Sequence, residues 1–583
     1  MALRQVLRLA PWPVRRRIFE TVEARVLPRV APERRLRVAR TFMPLGPRTR
    51  GAGGATLRVR TAEGILTART DPAAAPAEIR RHNLDRTVRA LDAAGVDWFR
   101  VPVRAAGRTA VAVRCADRAE ALAALRRHVA DDHGSLRVTV AGRRRAPRVV
   151  SVCWPVTDPG GSMVLGHDLA CEVEFWTERD GRLVSPRRNP VADSIPATEP
   201  VTVAAEPVFG SFCAPGDTTG YRTRRVFTSV DPDRVDFPID VVYTWVDGGD
   251  PEWQRRKTRA LAENPWVGEV NAQAANDSRF ASRDELRYSL RALHCFAPWV
   301  RRVFLVTDDQ TPAWLDRAHP RLTVVGHREI FGDTGRLPTF NSQAIESRLH
   351  RIPGLAEHFL YLNDDVILGR PVTPEMFFTP GGLTKFFASA ARVDTAPRGP
   401  ADRPADSAAK NNRRLIQETF GRMLTRKMMH TPHPSRRSVI AEIEERFTDQ
   451  VTATAGHQFR HPDDISLLSS LQQYYAYLTG RAAPGRIRYL YTDLSEPVTP
   501  LRLARLLRSR DVDAFCLNDV DVHSAAVADQ EALVAEFLPA YLPFTSPFEL
   551  QHRNVRTIAA PRQPGPGRDD RPVPPDVALP PVA

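Results

Sequence analysis

Asp240-Val-Val-Tyr-Thr-Trp-Val-Asp-Gly248 is the stretch that decides the fold. A run of β-branched and aromatic residues lies between two aspartates, and the second Asp is followed at once by two glycines. A buried strand that delivers an acidic side chain onto a Gly turn is how α/β enzymes present a carboxylate at a sheet edge. Val303-Phe-Leu-Val-Thr-Asp-Asp309 and Phe359-Leu-Tyr-Leu-Asn-Asp-Asp365 end the same way. One such ending is ordinary. Three in one region predict the floor of an active site.

Working outward, the pattern predicts strands at 239–246, 302–307, 321–326 and 358–363, with helices at 283–296 and 342–352. Leu286, Leu290, Leu293 and Phe296 share one helical face, as do Ile345, Leu349 and Ile352. Ser282, three residues before Glu285, reads as a capping-box start. This alternation predicts an α/β fold, a Rossmann-like or GT-A-like largely parallel sheet with ligands at the strand C-terminal ends. Helical additions follow at 411–427, 436–447 and 463–479, after a loop at 394–409. Further strands are expected at 486–491 and in a run ending at Asp519.

At 583 residues the chain exceeds what one core organises. Residues 1–54 form a basic arm. Residues 55–230 read as an α+β accessory domain, with a strand at 109–114, a helix at 116–128, a strand at 136–140 and mostly β structure over 148–228. The catalytic domain is expected over 236–545. The last 23 residues hold eight prolines, so 558–583 is expected to be disordered. No apolar run approaches the roughly 20 residues that span a bilayer. Arg8 interrupts the N-terminal apolar run, which argues against a signal peptide. The six cysteines show no CxxC spacing, which suits buried thiols in a reducing cytoplasm.

Residues 1–50 hold thirteen Arg against three acids and account for ten of the fifteen net positive charges. The remainder is nearly balanced, which argues against nucleic acid as a partner. Val14, Ile18, Phe19, Val22 and Val26 among arginines form a basic amphipathic pattern. It fits peripheral contact with an anionic membrane, or the blander helix packed on the body of the protein with a solvated Arg face. Of the 83 cationic residues only Lys257, Lys385, Lys410 and Lys427 are lysines. Chance retention is the default for each, and a compact ammonium is a candidate requirement at some of them.

Asp364 and Asp365, after an apolar strand, resemble an acidic pair that holds Mg²⁺ or Mn²⁺ against a diphosphate. Asp240, Asp247 and Asp308 keep them company. Glu346 lies on the preceding helix, where its plain alternative is a solvated face. His430, His433, His457 and His461 surround Arg460. Pro432 and Pro434 deny the first pair a helical frame and no HExxH occurs, so zinc is disfavoured. A His base beside a phosphate-binding Arg fits better. With no GxGxxG, Walker loop or serine elbow, dinucleotide oxidoreduction, P-loop hydrolysis and serine hydrolysis lack support.

The opening motif also resembles the first conserved region of the Stealth sugar-phosphotransferases, bacterial capsule and cell-wall enzymes related to the animal N-acetylglucosamine-1-phosphotransferase. Their second region is similar to Ser278-Arg-Phe280, Glu285-Leu-Arg-Tyr-Ser-Leu290, Ala297-Pro-Trp299, Leu337-Pro-Thr-Phe340, Ala344-Ile-Glu346 and Tyr361-Leu-Asn-Asp-Asp365. The third is similar to His430-Thr-Pro-His433, Phe459-Arg460 and Asp464-Ile465, and the fourth to Cys516-Leu-Asn-Asp519. The resemblance spans about 236–520 in the family's order and leaves 1–230 uncovered. It implies transfer of a sugar 1-phosphate from a nucleotide diphosphate sugar, such as a UDP-sugar, to a hydroxyl of an acceptor saccharide. The positions matching the family's essential residues are Glu346, Asp365, His430 and Arg460. Substrate contacts are expected from Asp240, Trp245, Asp247, Arg283, Asp308, Asn341, His433 and Asp464, and Mg²⁺ or Mn²⁺ on Asp364 and Asp365. The rivals are a metal-dependent glycosyltransferase that releases nucleoside diphosphate, and a non-catalytic polysaccharide- or membrane-binding protein.

Overall fold

The computed structural model describes Thr21 and residues 55–550, apart from 62–63, 142–145, 230–231, 265–279, 400–401, 497 and 519–523. The basic arm with its amphipathic segment, positions 278–279 and 519 of the quoted motifs, and the proline-rich tail lie outside these residues.

Near-continuous Val, Ile, Leu and Phe runs suit strands buried on both faces. They form β1 (Ile239–Thr244), β2 (Val303–Thr307) and, after the less buried edge strand β3 (Leu322–Gly326), β4 (His358–Asn363), with helix α1 (Glu285–Phe296) between β1 and β2 and helix α2 (Ser342–Glu346) before β4. The short strand β5 (Val366–Leu368) follows β4, and β6 (His433–Arg436), β7 (Tyr489–Asp493) and β8 (Ala514–Asn518) come later. The main sheet runs β3-β2-β1-β4-β6, parallel except for β6, which pairs antiparallel with β4. A second sheet runs β5-β8-β7. The fold is mixed α/β with a largely parallel sheet.

The accessory region carries a nine-stranded and a four-stranded sheet, with helices Pro76–Ala93 and Arg118–Asp131. The strand and helix expected near 109–128 occupy Thr109–Arg114 and Arg118–Asp131, and the next strand is Ser135–Ala141. Its core is not sealed off from the catalytic region. Ala74, Ile79, Val156, Leu165 and Leu169 share one apolar cluster with Val241, Leu286, Leu290 and Leu360.

Several local expectations are corrected. The Ser282–Glu285 capping box does not form: α1 starts after Asp284, whose φ is +63°, and the Glu285 carboxylate accepts from the Arg283 N–H at 2.6 Å. Ser282 is drawn off to accept from Trp245 Nε1 at 3.4 Å. The helix predicted over 342–352 is α only to Glu346, then a short 3-10 turn, Leu349–Arg351. Ile352 precedes Pro353, which disfavours α backbone there. The expected loop at 394–409 gives way at Pro404, the first residue of helix Pro404–Phe420, which ends on Gly421 at φ +61°. Over 463–479 the chain makes a π-helical turn, Leu467–Leu471, before the α-helix Gln472–Leu478.

One buried clamp ties α1 to the far end of the described chain. The Glu549 carboxylate accepts from Arg291 Nε at 2.8 Å and Nη2 at 2.8 Å, and from Arg287 Nε at 2.6 Å. Burial pushes the Glu549 pKa up, but the Arg291 and Ser546 hydrogen bonds outweigh it and hold it at about 2 against an ordinary 4.5. That stabilisation is complete above pH 4.5 and drains away as pH falls towards 2, on the order of 3 kcal/mol in all. Glu549→Gln should therefore cost roughly 3 kcal/mol in urea unfolding at pH 7 and flatten the acid limb of the stability curve. An unchanged urea midpoint would refute this assignment.

Candidate active site

The connections from β1 and β4 leave in opposite directions across the sheet, so a crevice opens between their C-terminal ends. Thr244 ends one strand and Trp245 follows it; Asn363 ends the other and Asp364 and Asp365 follow it. A cavity of about 560 Å³ sits there, walled by these residues and by Arg283, Glu285, Asp308, Gln343, Glu346, His430, Arg460 and Ser469.

Strand register places the histidine. Antiparallel pairing sets His433 opposite Tyr361, so the residues before β6 run alongside the residues after β4. His430 Nε2 comes to 3.3 Å from Asp365 Oδ1. Burial alone would lower the His430 pKa, but the Asp365 carboxylate, by charge and hydrogen bond, carries it above 6.5. Across the second sheet Cys516, opposite Val366, donates its thiol to Asp365 Oδ2 at 3.2 Å. Asp365, His430 and Cys516 each offer a possible ligand atom within 4.8 Å of the others. Burial and the neighbouring Asp365 charge raise the thiol pKa well above 9, so sulfur stays protonated.

Glu346 ends α2 and is buried. Its carboxylate accepts from the Ser469 hydroxyl at 3.0 Å, the Ser469 N–H at 3.3 Å and the Tyr361 hydroxyl at 3.5 Å. Burial raises its pKa, and the two Ser469 bonds oppose that rise. Arg460 lies in the same wall and donates to the Ser342 hydroxyl at 2.7 Å.

Negative charge is crowded at the β4 end. Desolvation, then the Glu285 and Asp365 charges, push Asp364 well above 3.8; burial likewise raises Glu285. Hard oxygens under mutual repulsion are a donor set that a divalent cation relieves.

Trp245, Arg283 and Asp308 line the cavity as expected from the sequence; Asp308 also accepts from Arg256 Nη2 at 2.8 Å. Five expected substrate contacts are placed elsewhere. Asp240 is wholly buried at the opposite end of β1, accepting from Arg301 Nε at 2.8 Å and the Ala356 N–H at 2.7 Å. Asp247 turns back to accept from the Gly249 N–H at 2.8 Å and is not a wall residue. Asp464 is buried, accepting from His457 Nδ1 at 2.7 Å, Asn341 Nδ2 at 2.8 Å and the His461 N–H at 2.8 Å. Asn341 also caps α2 by accepting from the Gln343 N–H at 3.1 Å. These two brace Glu346 and Arg460 from behind the wall. His433 is buried within β6, and desolvation lowers its pKa to about 3.

Sequence reasoning missed Ser469, Gln343 and the role of Cys516. Gln343 Oε1 and Asn363 Oδ1 are buried in wall residues without a hydrogen-bond partner among the described residues, which is costly unless a ligand supplies one.

Stealth protein conserved regions 1, 2, 3 and 4 match residues 237–265, 279–386, 429–477 and 504–559. An exopolysaccharide phosphotransferase of Streptomyces coelicolor is 46% identical over 86% of this chain and 88% of its own length. The chain belongs to the Stealth family. Exopolysaccharide phosphotransferase CpsY of Mycobacterium tuberculosis is 36% identical over 72% of this chain and 77% of its own length. This Stealth protein is accordingly an enzyme, a phosphotransferase. A solved galactosyltransferase, LgtC, in complex with donor and acceptor sugar analogues is 11% identical, covering 53% of this chain and 96% of its own, at a TM-score of 0.27.

In this Stealth enzyme the Ser469 bonds favour the ionised form of Glu346, so removing the hydroxyl raises the Glu346 pKa. Ser469→Ala should move the acid limb of the kcat/KM profile up by about one to two pH units. An unmoved limb would show that Glu346 does not work as the ionised group.

Proposed function

We propose that this enzyme transfers a sugar 1-phosphate from a nucleotide diphosphate sugar, with UDP-sugars the first donors to try, to a hydroxyl of an acceptor saccharide in polysaccharide synthesis. The observation that carries the reading is the Asp365–His430 contact of 3.3 Å, in one cavity with Arg460 and Glu346.

The chemistry follows from the atoms. With Nε2–H turned to Asp365, the His430 Nδ1 is the nitrogen left to take the acceptor proton. The acceptor oxygen attacks the phosphorus that bears the sugar; its proton goes to His430 and the bond to the nucleoside monophosphate breaks. Arg460 faces the charge gathered on the phosphoryl oxygens, where a fixed guanidinium is most effective. Glu346, held by Ser469, sets its carboxylate charge beside Arg460 and His430, where it favours the imidazolium that forms as His430 takes the proton. Mg²⁺ or Mn²⁺ on Asp364 and Asp365 would offset the donor's diphosphate charge.

Among the described residues no helix is long and apolar enough to cross a membrane. The thirteen arginines of residues 1–50 give the enzyme a means of peripheral contact with the anionic inner face of a membrane.

Chromatography of the released nucleotide tests the reading. Monophosphate is expected, whereas diphosphate would mean attack at the anomeric carbon and a glycosyltransferase. His430→Ala should cut transfer about 10²- to 10⁴-fold while donor affinity stays within a few-fold. Wild-type turnover in that variant would remove His430 as the base. Asp365→Asn and EDTA treatment should each abolish release, and added Mn²⁺ should restore only the chelated wild type.

A further inference from the structure

The accessory region holds a second cavity, of about 190 Å³, which the transfer reaction does not use. Residues 102–108 and 187–190 contribute its two loops. Asn189 ties them together: its Nδ2 donates to the Pro102 carbonyl at 3.1 Å, and its Oδ1 accepts from the Val191 N–H at 2.9 Å. Glu172 and Glu174 also line this cavity, each 1% exposed and two residues apart on strand Cys171–Arg179, hence on the same face. Two neighbouring buried carboxylates require cations. Arg187 Nε donates to Glu174 at 2.7 Å and its Nη2 to Glu172, while Arg108 Nη1 donates to Glu172 at 2.9 Å.

Those two arginines balance the two glutamates. Arg104 and Arg188 are surplus. Both are exposed, both line the cavity, and neither has a side-chain ion-pair or hydrogen-bond partner among the described residues. Four guanidinium groups against two carboxylates leave one small cavity two positive charges in excess. Like charges so placed repel, and an anion between them reverses the sign of the interaction. Guanidinium forks match phosphoryl oxygens in pairs, and the glutamates already hold two of the forks in place.

We infer that this cavity binds a phosphoryl group, clamped by Arg104 and Arg188 over the anchored Arg108 and Arg187. Its source as a phosphodiester of the acceptor or product glycan rests on the transfer reaction proposed above; the phosphoryl site itself does not.

The test is calorimetric titration of the full chain with inorganic phosphate and, separately, with a methyl diester of a hexose 1-phosphate. Arg104→Ala/Arg188→Ala changes only exposed side chains and leaves the glutamate anchors intact. It should remove one binding event, or weaken it about tenfold or more. Arg104→Lys/Arg188→Lys should recover part of that loss. Nucleotide release from the donor without acceptor should be unchanged in both variants. Equal stoichiometry and affinity in wild type and the Ala variant would overturn the site. Binding of inorganic phosphate with none of the diester would overturn the glycan source. A wild type that binds phosphate here yet releases no nucleotide would overturn the transfer reaction and leave this site standing.

Discussion

The antiparallel seam between β4 and β6 is the constraint on which the site depends. Tyr361 faces His433, and that register alone carries His430 to the acidic end of β4. A slip of one residue would turn every side chain of β6 to the other face. The buried residues lock it: Tyr361 and His433 stack with ring centroids 6.3 Å apart, and Gln472 Nε2 donates to the Pro434 carbonyl at 3.0 Å. Imidazole and carboxylate come from segments 65 residues apart, yet a single ladder sets their distance.

Around that seam the protein keeps charge under tension. Asp364, Asp365 and Glu285 crowd one end of the cavity, and Arg460 and His430 stand in the same wall. Groups that repel one another in a desolvated crevice are held there by the fold, not by their own attraction. Asp464 shows how. It gathers His457, Asn341 and the His461 N–H into one knot, so the loop bearing Arg460 and the cap of α2 bearing Glu346 are positioned together.

The parallel strands were legible because β-branched runs buried on both faces leave an unmistakable pattern, and their acidic ends marked the crevice. Glu346, Asp365, His430 and Arg460 could be named from motif order, and the fold places all four in one wall. Asp240 misled because an acid that opens a strand and one that closes it look alike in sequence; here the opening acid serves Arg301 at the far end. Asn341 and Asp464 carry the same motif signal as the cavity residues, because motif positions do not distinguish a residue that lines a cavity from one that braces its wall. Ser469 was hidden by its π-helical turn, which a 3.6-residue period does not register. Glu549 and Cys516 act through partners more than 150 residues away, beyond any window of local pattern.

The Glu549 clamp has a consequence for how the chain is made. Helix α1, which begins with Glu285, takes its buried counter-ion from a residue some 260 positions later in synthesis. The β8 strand that brings Cys516 to Asp365 is likewise late. A nascent chain emerging from the ribosome can assemble its accessory sheets early, but Arg287 and Arg291 wait for their carboxylate until nearly the whole catalytic region has been translated. Completion of the crevice thereby follows the synthesis of Cys516 and Glu549.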